Sequence, residues 1–348
     1  MTQQFELAFT GDFLSDGKLV FKDIGLELLA ANQAIHYRFL EPEATLSADQ
    51  LRGLDALICL APKITAASLS SAERLLAVAR FGVGYDSVDV SSCTQADVGL
   101  FIAAGAVNYS VAEAILGWML ALGHHLKKKD QLTREGKWNE RSLWMGSEIR
   151  RKVIGLVGVG GIGGALVDML RPFGAAEIVA HDPYVAAARA EQLRVRLLKL
   201  PELLRLSDYI IICCPLTEET RNLLAASQLG LMKPTAYLIN AARGGIVNEE
   251  ALVEALKQER IAGAAIDVFA SEPASAQHPL CQLENVILAP HSIAWTDELF
   301  AAIGHQCCRQ VMMLAKGQIP EGLINNEVCE RTLFQRKLQR YQGVWDRG

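Results

Sequence analysis

Apolar and polar positions alternate in blocks along this chain. From Val153 to Ala289, short apolar runs are separated by amphipathic or turn-rich segments. Such alternation is typical of parallel strands that are buried on both faces and connected by helices. The predicted strands of this region are Val153–Val157, Glu177–His181, Tyr209–Cys214, Ala236–Ile239, Gly263–Val268 and Val286–Ala289. The pattern therefore predicts a doubly wound α/β domain.

A looser form of the same alternation occupies residues 5–105 and predicts a second, smaller α/β domain. Its predicted strands lie near Glu6–Thr10, His36–Phe39, Ala56–Cys59 and Leu76–Arg80. Between the two regions, a long apolar helix is predicted over Ser110–Leu126. It ends in two histidines and the run Lys127–Lys129, which we interpret as a solvated helix end matched to the helix dipole. A further helix over Asp297–Ala315 leads toward the carboxyl end, whose residues we expect to complete the first domain.

Composition narrows the classes of function. A length of 348 residues fits about two domains. The net charge of -5 provides no basic field for nucleic acid or an anionic membrane. The start Met-Thr-Gln-Gln-Phe-Glu does not resemble a signal peptide, and no apolar run is long enough for a membrane span, so we expect a cytoplasmic protein with a small-molecule partner. The eight cysteines show no C-x-x-C spacing, so we expect reduced, mostly buried thiols and no metal site.

A glycine-rich turn follows the first strand of the larger domain. Its sequence is Gly158-Val-Gly160-Gly161-Ile162-Gly163, and a helix is predicted over Ala165–Leu170. In this arrangement backbone amides at a helix amino terminus meet a pyrophosphate. Asp182 ends the next strand, about 20 residues further on, where a carboxylate accepts hydrogen bonds from the adenosine ribose. The turn and the aspartate together predict an NAD site, because a carboxylate there repels the 2′-phosphate of NADP.

Three further motifs carry chemistry. They are Asn240-Ala241-Ala242-Arg243-Gly-Gly, Asp267-Val-Phe-Ala-Ser-Glu272-Pro and Pro290-His291-Ser. Arg243 offers a permanently charged fork that suits a planar carboxylate. His291 is a natural proton donor, since histidine changes its charge near neutral pH. Glu272, hydrogen-bonded to the imidazole, would fix its orientation and favour its protonated form, so the set fits reduction of a 2-oxo acid.

In the order of these motifs, the chain resembles the D-isomer-specific 2-hydroxyacid dehydrogenase family over roughly residues 50–328. The resemblance implies that Arg243 binds substrate, that Glu272 pairs with His291, and that His291 is the acid/base. It also implies that Asp267 contacts the nicotinamide carboxamide and that Asn240–Arg243 lies beneath the nicotinamide ribose. Cys214-Pro215-Leu-Thr and Thr220 match the family's adenosine-side loop.

The resemblance also has implications for domain organisation and substrate binding. It implies a Rossmann-type NAD-binding domain at 109–292, inserted in a smaller flavodoxin-like substrate domain formed by 1–108 and 293–348. Arg80-Phe-Gly-Val83-Gly84-Tyr-Asp86 resembles the substrate loop, where the amides of Val83 and Gly84 would hold a carboxylate. The family is usually dimeric, and the segment from Trp138 to Trp144 resembles the arm by which subunits embrace. We hypothesise that Trp144 reaches toward the neighbouring subunit of a homodimer.

The substrate itself is less closely defined by the sequence. The loop Cys59-Leu-Ala-Pro-Lys63-Ile-Thr resembles the one that closes over the substrate side chain, and it lacks the arginine by which phosphoglycerate enzymes hold a phosphate. We therefore expect a small, unphosphorylated 2-oxo acid such as glyoxylate, hydroxypyruvate or pyruvate. Lys63 keeps a phosphoglycerate dehydrogenase open as an alternative. An NAD(H)-responsive scaffold of the corepressor kind, with little turnover, is another alternative, whereas formate dehydrogenase has glutamine where Glu272 stands.

Overall fold

A computed structural model describes residues 4–32 and 34–341 of the chain. The chain divides into two compact units. The terminal unit comprises Met1–Val107 and Trp295–Gly348, and the central unit comprises Asn108–Ala294. The ends of the predicted substrate domain, residues 1–3 and 342–348, lie outside the described residues. Within the described ranges, no helix is both long and apolar enough to cross a membrane.

The terminal unit contains a five-stranded parallel sheet and a short antiparallel hairpin. Its amino-terminal strands and helices are β1 Phe5–Phe9, β2 Leu14–Ser15, β3 Lys18–Leu19, α1 Leu26–Ala30, β4 Ile35–Phe39, α2 Ala48–Leu51, β5 Ala56–Cys59, β6 Ala77–Arg80, α3 Val90–Gln95 and β7 Gly99–Ile102. The strand order in the main sheet is β4-β1-β5-β6-β7. Counted within the sheet this is 2-1-3-4-5, the flavodoxin-like order.

The central unit contains a seven-stranded sheet in which all neighbours are parallel. Its elements are α4 Asn108–Gly123, α5 Leu126–Arg134, β8 Val153–Val157, α6 Gly161–Leu170, β9 Glu177–His181, α7 Ala187–Gln192, β10 Arg196–Leu197, α8 Leu200–Leu206, β11 Tyr209–Ile212, α9 Ala226–Leu229, β12 Tyr237–Asn240, α10 Glu249–Lys257, β13 Gly263–Ile266 and β14 Val286–Leu288. The order β10-β9-β8-β11-β12-β13-β14 reverses between β8 and β11. Rossmann-type sheets bind ligands at that reversal, beyond the carboxyl ends of the strands.

The central sheet separates two apolar cores, as its uninterrupted apolar strands require. In β11, Tyr209 and Ile211 lie in the core that includes residues of α4 and α6, whereas Ile210 and Ile212 lie in the core on the other face. Adjacent strand residues therefore face opposite sides of a sheet that is covered on both. The predicted fold class, a Rossmann-type domain inserted in a flavodoxin-like one, is confirmed by the two strand orders.

The carboxyl-terminal segment returns to the terminal unit through α11 Asp297–Ala315 and α12 Thr332–Gln339. Asn325 extends the edge of the sheet, because its side chain accepts from the Leu100 amide at 2.8 Å and donates to the Val98 carbonyl at 2.9 Å. Two residues after the end of α12, the Tyr341 hydroxyl donates to Oδ1 of Asp55 at 2.5 Å. These contacts complete the terminal unit with residues from the end of the chain.

The predicted helix over Ser110–Leu126 is wrong at its carboxyl end. Helix α4 stops at Gly123, His125 has a left-handed backbone with φ of 52°, and α5 begins at Leu126. A side chain at position 123 would place Cβ 2.4 Å from the Tyr209 hydroxyl, so only glycine fits at this end of α4. The lysine run therefore lies in the first turns of α5 and not at a solvated helix end. Lys127 donates to the Val286 carbonyl at 2.7 Å, and Lys128 pairs with Glu284 at 2.9 Å.

The eight thiols are free. Four of them are buried and three are half-buried, while Cys281 is exposed. Burial raises the pKa of Cys59 and Cys307 to about 12, so these thiols stay protonated and behave as small apolar side chains.

Candidate active site

The glycine turn forms a cradle at the amino end of α6. Gly158 has a φ of 92°, and a Cβ there would lie 2.8 Å from the Cys214 amide nitrogen. A Cβ on Gly163 would lie 2.8 Å from the Gly158 carbonyl oxygen, which shows how closely helix and turn approach. Around Gly160, by contrast, an added Cβ meets nothing within 4 Å. That open space beside the first amides of a helix fits a pyrophosphate.

Helix α6 begins earlier than the sequence pattern predicts. It starts at Gly161 and not at Ala165, so Gly161 and Ile162 are its first residues. A Cβ at Gly161 would lie 2.4 Å from the Asn108 side-chain amide. Asn108, the first residue of α4, therefore packs against the first turn of α6, a contact that no sequence pattern predicted.

Asp182 follows β9 and is half-buried beside the glycine turn. Its Oδ2 accepts from the Val159 amide at 2.9 Å, and its Oδ1 accepts from the Tyr184 and Val185 amides at 3.0 and 3.1 Å. The carboxylate is thus fixed between the turn and its own loop. This is the position from which such a group contacts the adenosine ribose in Rossmann-type domains.

The loop after β11 carries the predicted adenosine-side residues. Cys214 is half-buried, and burial raises the pKa of its thiol to about 11. The Thr220 hydroxyl donates to the Pro215 carbonyl at 2.7 Å and accepts from the Thr217 amide at 2.7 Å. Thr220 therefore holds the loop closed on itself next to the reversal of strand order.

His291 and Glu272 are brought together by the fold. Nδ1 of His291 lies 2.7 Å from Oε2 of Glu272, and the other carboxylate oxygen accepts from the Phe269 amide at 2.9 Å. With Nδ1–H donated to the carboxylate, Nε2 is the nitrogen that can exchange a proton. The side chains remain partly exposed, 47% for His291 and 35% for Glu272, as groups that meet a ligand must be.

Asp267 holds the backbone on which His291 sits. Its carbonyl accepts from the His291 amide at 2.8 Å, and its Oδ1 accepts from the amides of Ser292 and Ile293 at 2.8 and 3.2 Å. His291 itself has a left-handed backbone with φ of 53°, a conformation that non-glycine residues seldom adopt. Burial raises the pKa of Asp267. The buried carboxylate therefore supports a strained backbone at His291.

Arg243 lies in the loop after β12, in the same unit as the His291–Glu272 pair. The buried Asn240 orders this loop, because its side chain accepts from the Ala242 amide at 3.1 Å and donates to the Arg243 carbonyl at 3.0 Å. Nη1 of Arg243 donates to the Ala242 carbonyl at 2.7 Å. Ala241 and Ala242 are half-buried within the loop.

Gly244 brings the Arg243 loop against the Glu272 loop. A Cβ at this position would lie 1.9 Å from the Phe269 carbonyl oxygen. The loop backbone that faces Gly244 is itself fixed, since the Ala270 amide donates to Oε1 of Glu249 at 2.6 Å. Sequence reasoning assigned no role to Gly244 or Glu249, because only the folded chain places them at this contact.

The predicted carboxylate-binding residues Val83 and Gly84 belong to the terminal unit. They lie in the loop that follows β6, and both are half-buried. Gly82, just before them, has a φ of 133°, which reserves the position for glycine.

Comparison with known proteins assigns the chain to a family. Residues 116–292 match the profile described as "D-isomer specific 2-hydroxyacid dehydrogenase, NAD binding domain". The chain belongs to the D-isomer-specific 2-hydroxyacid dehydrogenase family. Its central unit is an NAD-binding domain, and the residues of the glycine turn, Asp182 and the loop after β11 fit that cofactor.

Several relatives extend the match beyond this domain. The chain is 35% identical to a glyoxylate reductase of Aeropyrum pernix over 88% of its own length and 93% of that protein. It is 36% identical to a D-3-phosphoglycerate dehydrogenase of Archaeoglobus fulgidus over 78% of its length, but over 51% of that protein. The chain thus spans about half the length of the phosphoglycerate dehydrogenases that it matches. Among solved structures, the PH0520 protein of Pyrococcus horikoshii is 26% identical, with a TM-score of 0.78 over 97% of this chain and 99% of that one.

Proposed function

We propose that the protein is an NAD-dependent D-2-hydroxyacid dehydrogenase that reduces a small, unphosphorylated 2-oxo acid. The observation that carries this proposal is the His291–Glu272 hydrogen bond of 2.7 Å inside an NAD-binding domain. A histidine oriented by a carboxylate is suited to giving a proton to a carbonyl oxygen as that oxygen becomes an alkoxide. Glyoxylate, hydroxypyruvate and pyruvate are the substrates we favour.

The proposed reaction divides its tasks among a few side chains. NADH, when bound, supplies the hydride that adds to the carbonyl carbon. Nε2 of His291 gives its proton to the carbonyl oxygen, and Glu272 stabilises the positive charge of the imidazolium before that transfer. Arg243 holds the substrate carboxylate. Asp267 contacts the nicotinamide carboxamide of the cofactor, and Asn240 orders the loop beneath the nicotinamide ribose. The products are a D-2-hydroxy acid and NAD⁺.

We assign substrate binding to the terminal unit as well, through the amides of Val83 and Gly84. The preference for an unphosphorylated acid is supported by the loop after β5. There the Leu60 amide donates to the Thr10 hydroxyl at 3.1 Å, and the Ala61 amide donates to Oδ2 of Asp12 at 2.9 Å. Two amides that could meet a phosphate are thus occupied, one of them by an anionic group that would repel it.

We also propose a homodimer in the cytoplasm. Three large apolar side chains in the predicted arm or directly after it are exposed: Trp138 by 61%, Leu143 by 75% and Met145 by 79%. Trp144, whose reach toward a second subunit stays a prediction, also has contacts within its own chain: its ring lies 5.5 Å from the His125 ring and 5.2 Å from Nζ of Lys128. We assign further apolar contact to a second subunit to the exposed Leu143 and Met145. Light scattering should give a dimer that Leu143→Asp with Met145→Asp dissociates, and fractionation of cells should find the protein with its reduced thiols in the cytosol.

The test of the reaction is NADH oxidation with each 2-oxo acid added separately, followed by absorbance. Rapid oxidation with glyoxylate, hydroxypyruvate or pyruvate, and its loss in His291→Ala, is the expected result. A higher kcat/KM for phosphohydroxypyruvate than for all three would support a phosphoglycerate dehydrogenase instead. Tight NADH binding without turnover on any acid would support the scaffold.

A further inference from the structure

Two loops at the adenosine end of the cofactor site are joined by a side-chain hydrogen bond. The Tyr184 hydroxyl, two residues beyond Asp182, donates to Oε2 of Glu219 in the loop after β11. In Rossmann-type domains these two loops flank the adenosine half of the dinucleotide, since they follow strands on either side of the first strand. The bond therefore links the two sides of the adenosine site within the central unit.

Both ends of this link are anchored by other contacts. The Tyr184 amide is held by Oδ1 of Asp182 at 3.0 Å. Glu219 lies between Thr217 and Thr220, whose side chains close the loop through the 2.7 Å bond to the Thr217 amide. Tyr184 and Glu219 are themselves exposed, so the hydrogen bond does not serve to bury either side chain. Its effect is to fix the position of the Glu219 carboxylate.

The link places two negative charges close to one phenol. The pKa of Tyr184 is raised by its hydrogen bond to Glu219 first, and the charge of Asp182 contributes in the same direction. Both carboxylates thus make the electrostatic potential around the Tyr184 hydroxyl more negative. In NADP this neighbourhood has to accept a 2′-phosphate, which carries up to two negative charges.

We infer that Glu219, held in place by Tyr184, is a second determinant of cofactor specificity that disfavours the 2′-phosphate of NADP(H). Asp182 occupies the ribose hydroxyls directly, whereas Glu219 adds a fixed negative charge from the opposite loop. Tyr184 is a positioning residue in this assignment, because it acts through Glu219. The inference depends on the NAD site and not on the proposed reaction.

The experiment measures equilibrium binding to the intact protein without any 2-oxo acid. Calorimetry gives Kd for 5′-AMP and adenosine 2′,5′-bisphosphate, and nucleotide fluorescence gives Kd for NADH and NADPH. For each ligand pair we compare the Kd of the 2′-phosphorylated ligand with the Kd of the ligand without that phosphate. Glu219→Gln and Tyr184→Phe should each lower the ratio of these two Kd values by about fivefold, which is the scale of one partly screened charge. At 1 M salt, where the Debye length is about 3 Å, the difference between the wild type and these variants should largely vanish.

The matched control is Glu218→Gln, which removes one charge from the adjacent position of the same loop. The Glu218 side chain is 91% exposed, and its Oε1 lies 3.7 Å from Nη2 of Arg221. The Kd ratio of Glu218→Gln should therefore stay within about twofold of the wild-type ratio. An equal effect from Glu218→Gln would show that loop charge in general is responsible and would overturn the assignment. An unchanged ratio in Glu219→Gln would also overturn it, and thermal melting confirms that each variant is folded. If NADH binds but no 2-oxo acid is reduced, the proposed reaction fails while this inference stands.

Discussion

Nδ1 of His291 is hydrogen-bonded to Oε2 of Glu272 at 2.7 Å, and both residues belong to the unit that binds NAD. The glutamate is fixed in turn by the Phe269 amide, and the histidine backbone by Asp267. The His291–Glu272 pair is thus ordered by contacts within its own domain. Preorganisation of this kind lowers the cost of orienting the imidazole during the reaction.

Replacement of the glutamate tests the role of its charge. Glu272→Gln retains an oxygen that accepts from Nδ1 but removes the charge that favours imidazolium, so kcat for 2-oxo acid reduction should fall about 100-fold. Stopped-flow measurement of NADH oxidation in a single turnover separates this loss from product release. Glu27→Gln provides the control, because Glu27 pairs with His305 at 3.0 Å in the terminal unit. A similar loss in both variants would contradict the assignment.

Substitution of Arg243 by lysine tests whether substrate binding depends on the charge of the side chain or on its planar shape. Arg243→Lys keeps the positive charge but loses the planar fork that binds a carboxylate through two parallel bonds, so KM for the 2-oxo acid should rise at least about tenfold. The dissociation constant of NADH should change much less. Steady-state kinetics with saturating NADH measures the KM, and an unchanged value would remove Arg243 from the substrate site.

The space around Gly160 offers a test of the cofactor cradle. In the protein alone, an alanine methyl at this position meets nothing within 4 Å, so Gly160→Ala should leave the free energy of unfolding nearly unchanged. With NADH the same methyl occupies the approach to the pyrophosphate, and the affinity should fall about tenfold or more. The control is Gly117→Ala in α4, which also has open space and lies outside the cradle. Fluorescence titration decides, and equal NADH affinity in the two variants would contradict a pyrophosphate at Gly160.

Gly244→Ala should affect stability, unlike Gly160→Ala. The added methyl would lie 1.9 Å from the Phe269 carbonyl oxygen, and the facing backbone is held by Glu249 and Glu272. Forcing the two loops apart should cost about 1–3 kcal/mol and displace Glu272 from His291. Urea unfolding measures the first effect, and kcat the second. A variant with wild-type stability and turnover would show that the loops separate without consequence.

Pattern alone predicted several elements that have a bounded apolar run or a clear helical period. The strands Val153–Val157 and Ala56–Cys59 and the helix Asp297–Ala315 have their predicted bounds. Helix α11 also carries a clear start, since the Thr296 hydroxyl caps it by accepting from the Leu299 amide. Motif order likewise predicted the His291–Glu272 pair, because each residue lies in a short and distinctive segment.

Features that depend on contacts between distant segments escaped prediction. The Tyr209 hydroxyl, 86 positions further along the chain, leaves no room for a side chain at Gly123, where α4 ends. The contacts of Trp144 with His125 and Lys128 of its own chain were also not predicted. Strand β7, Gly99–Ile102, was also missed, and its edge partner around Leu323 comes from the end of the chain. Neither hydrophobic period nor motif reports such partners.

Lys337 in α12 is another side chain whose role appears only in the fold. It is 1% exposed, and its ammonium donates to the carbonyls of Ala72, Leu75, Ala96 and Asp97 at 2.9 to 3.4 Å. It therefore ties the carboxyl-terminal helix to the end of α3 and to the turn before β6. Lys337→Met would leave these carbonyls without the donor and should lower the free energy of unfolding by about 1–3 kcal/mol at pH 8.

The same residue predicts how stability depends on pH. Burial lowers the pKa of Lys337 from 10.5 to about 8, so between these values the unfolded chain binds a proton at this site that the folded chain does not. The contribution of this site to the free energy of unfolding must then rise with pH. The free energy of unfolding of the wild type should therefore gain up to about 3 kcal/mol over that of Lys337→Met between pH 8 and 10.5. Taking the difference between the two proteins cancels the thiols and tyrosines that titrate in the same range. Urea unfolding of both at pH 8, 9 and 10 measures it, and a difference that stays constant or shrinks would mean that the four carbonyls keep the ammonium charged throughout.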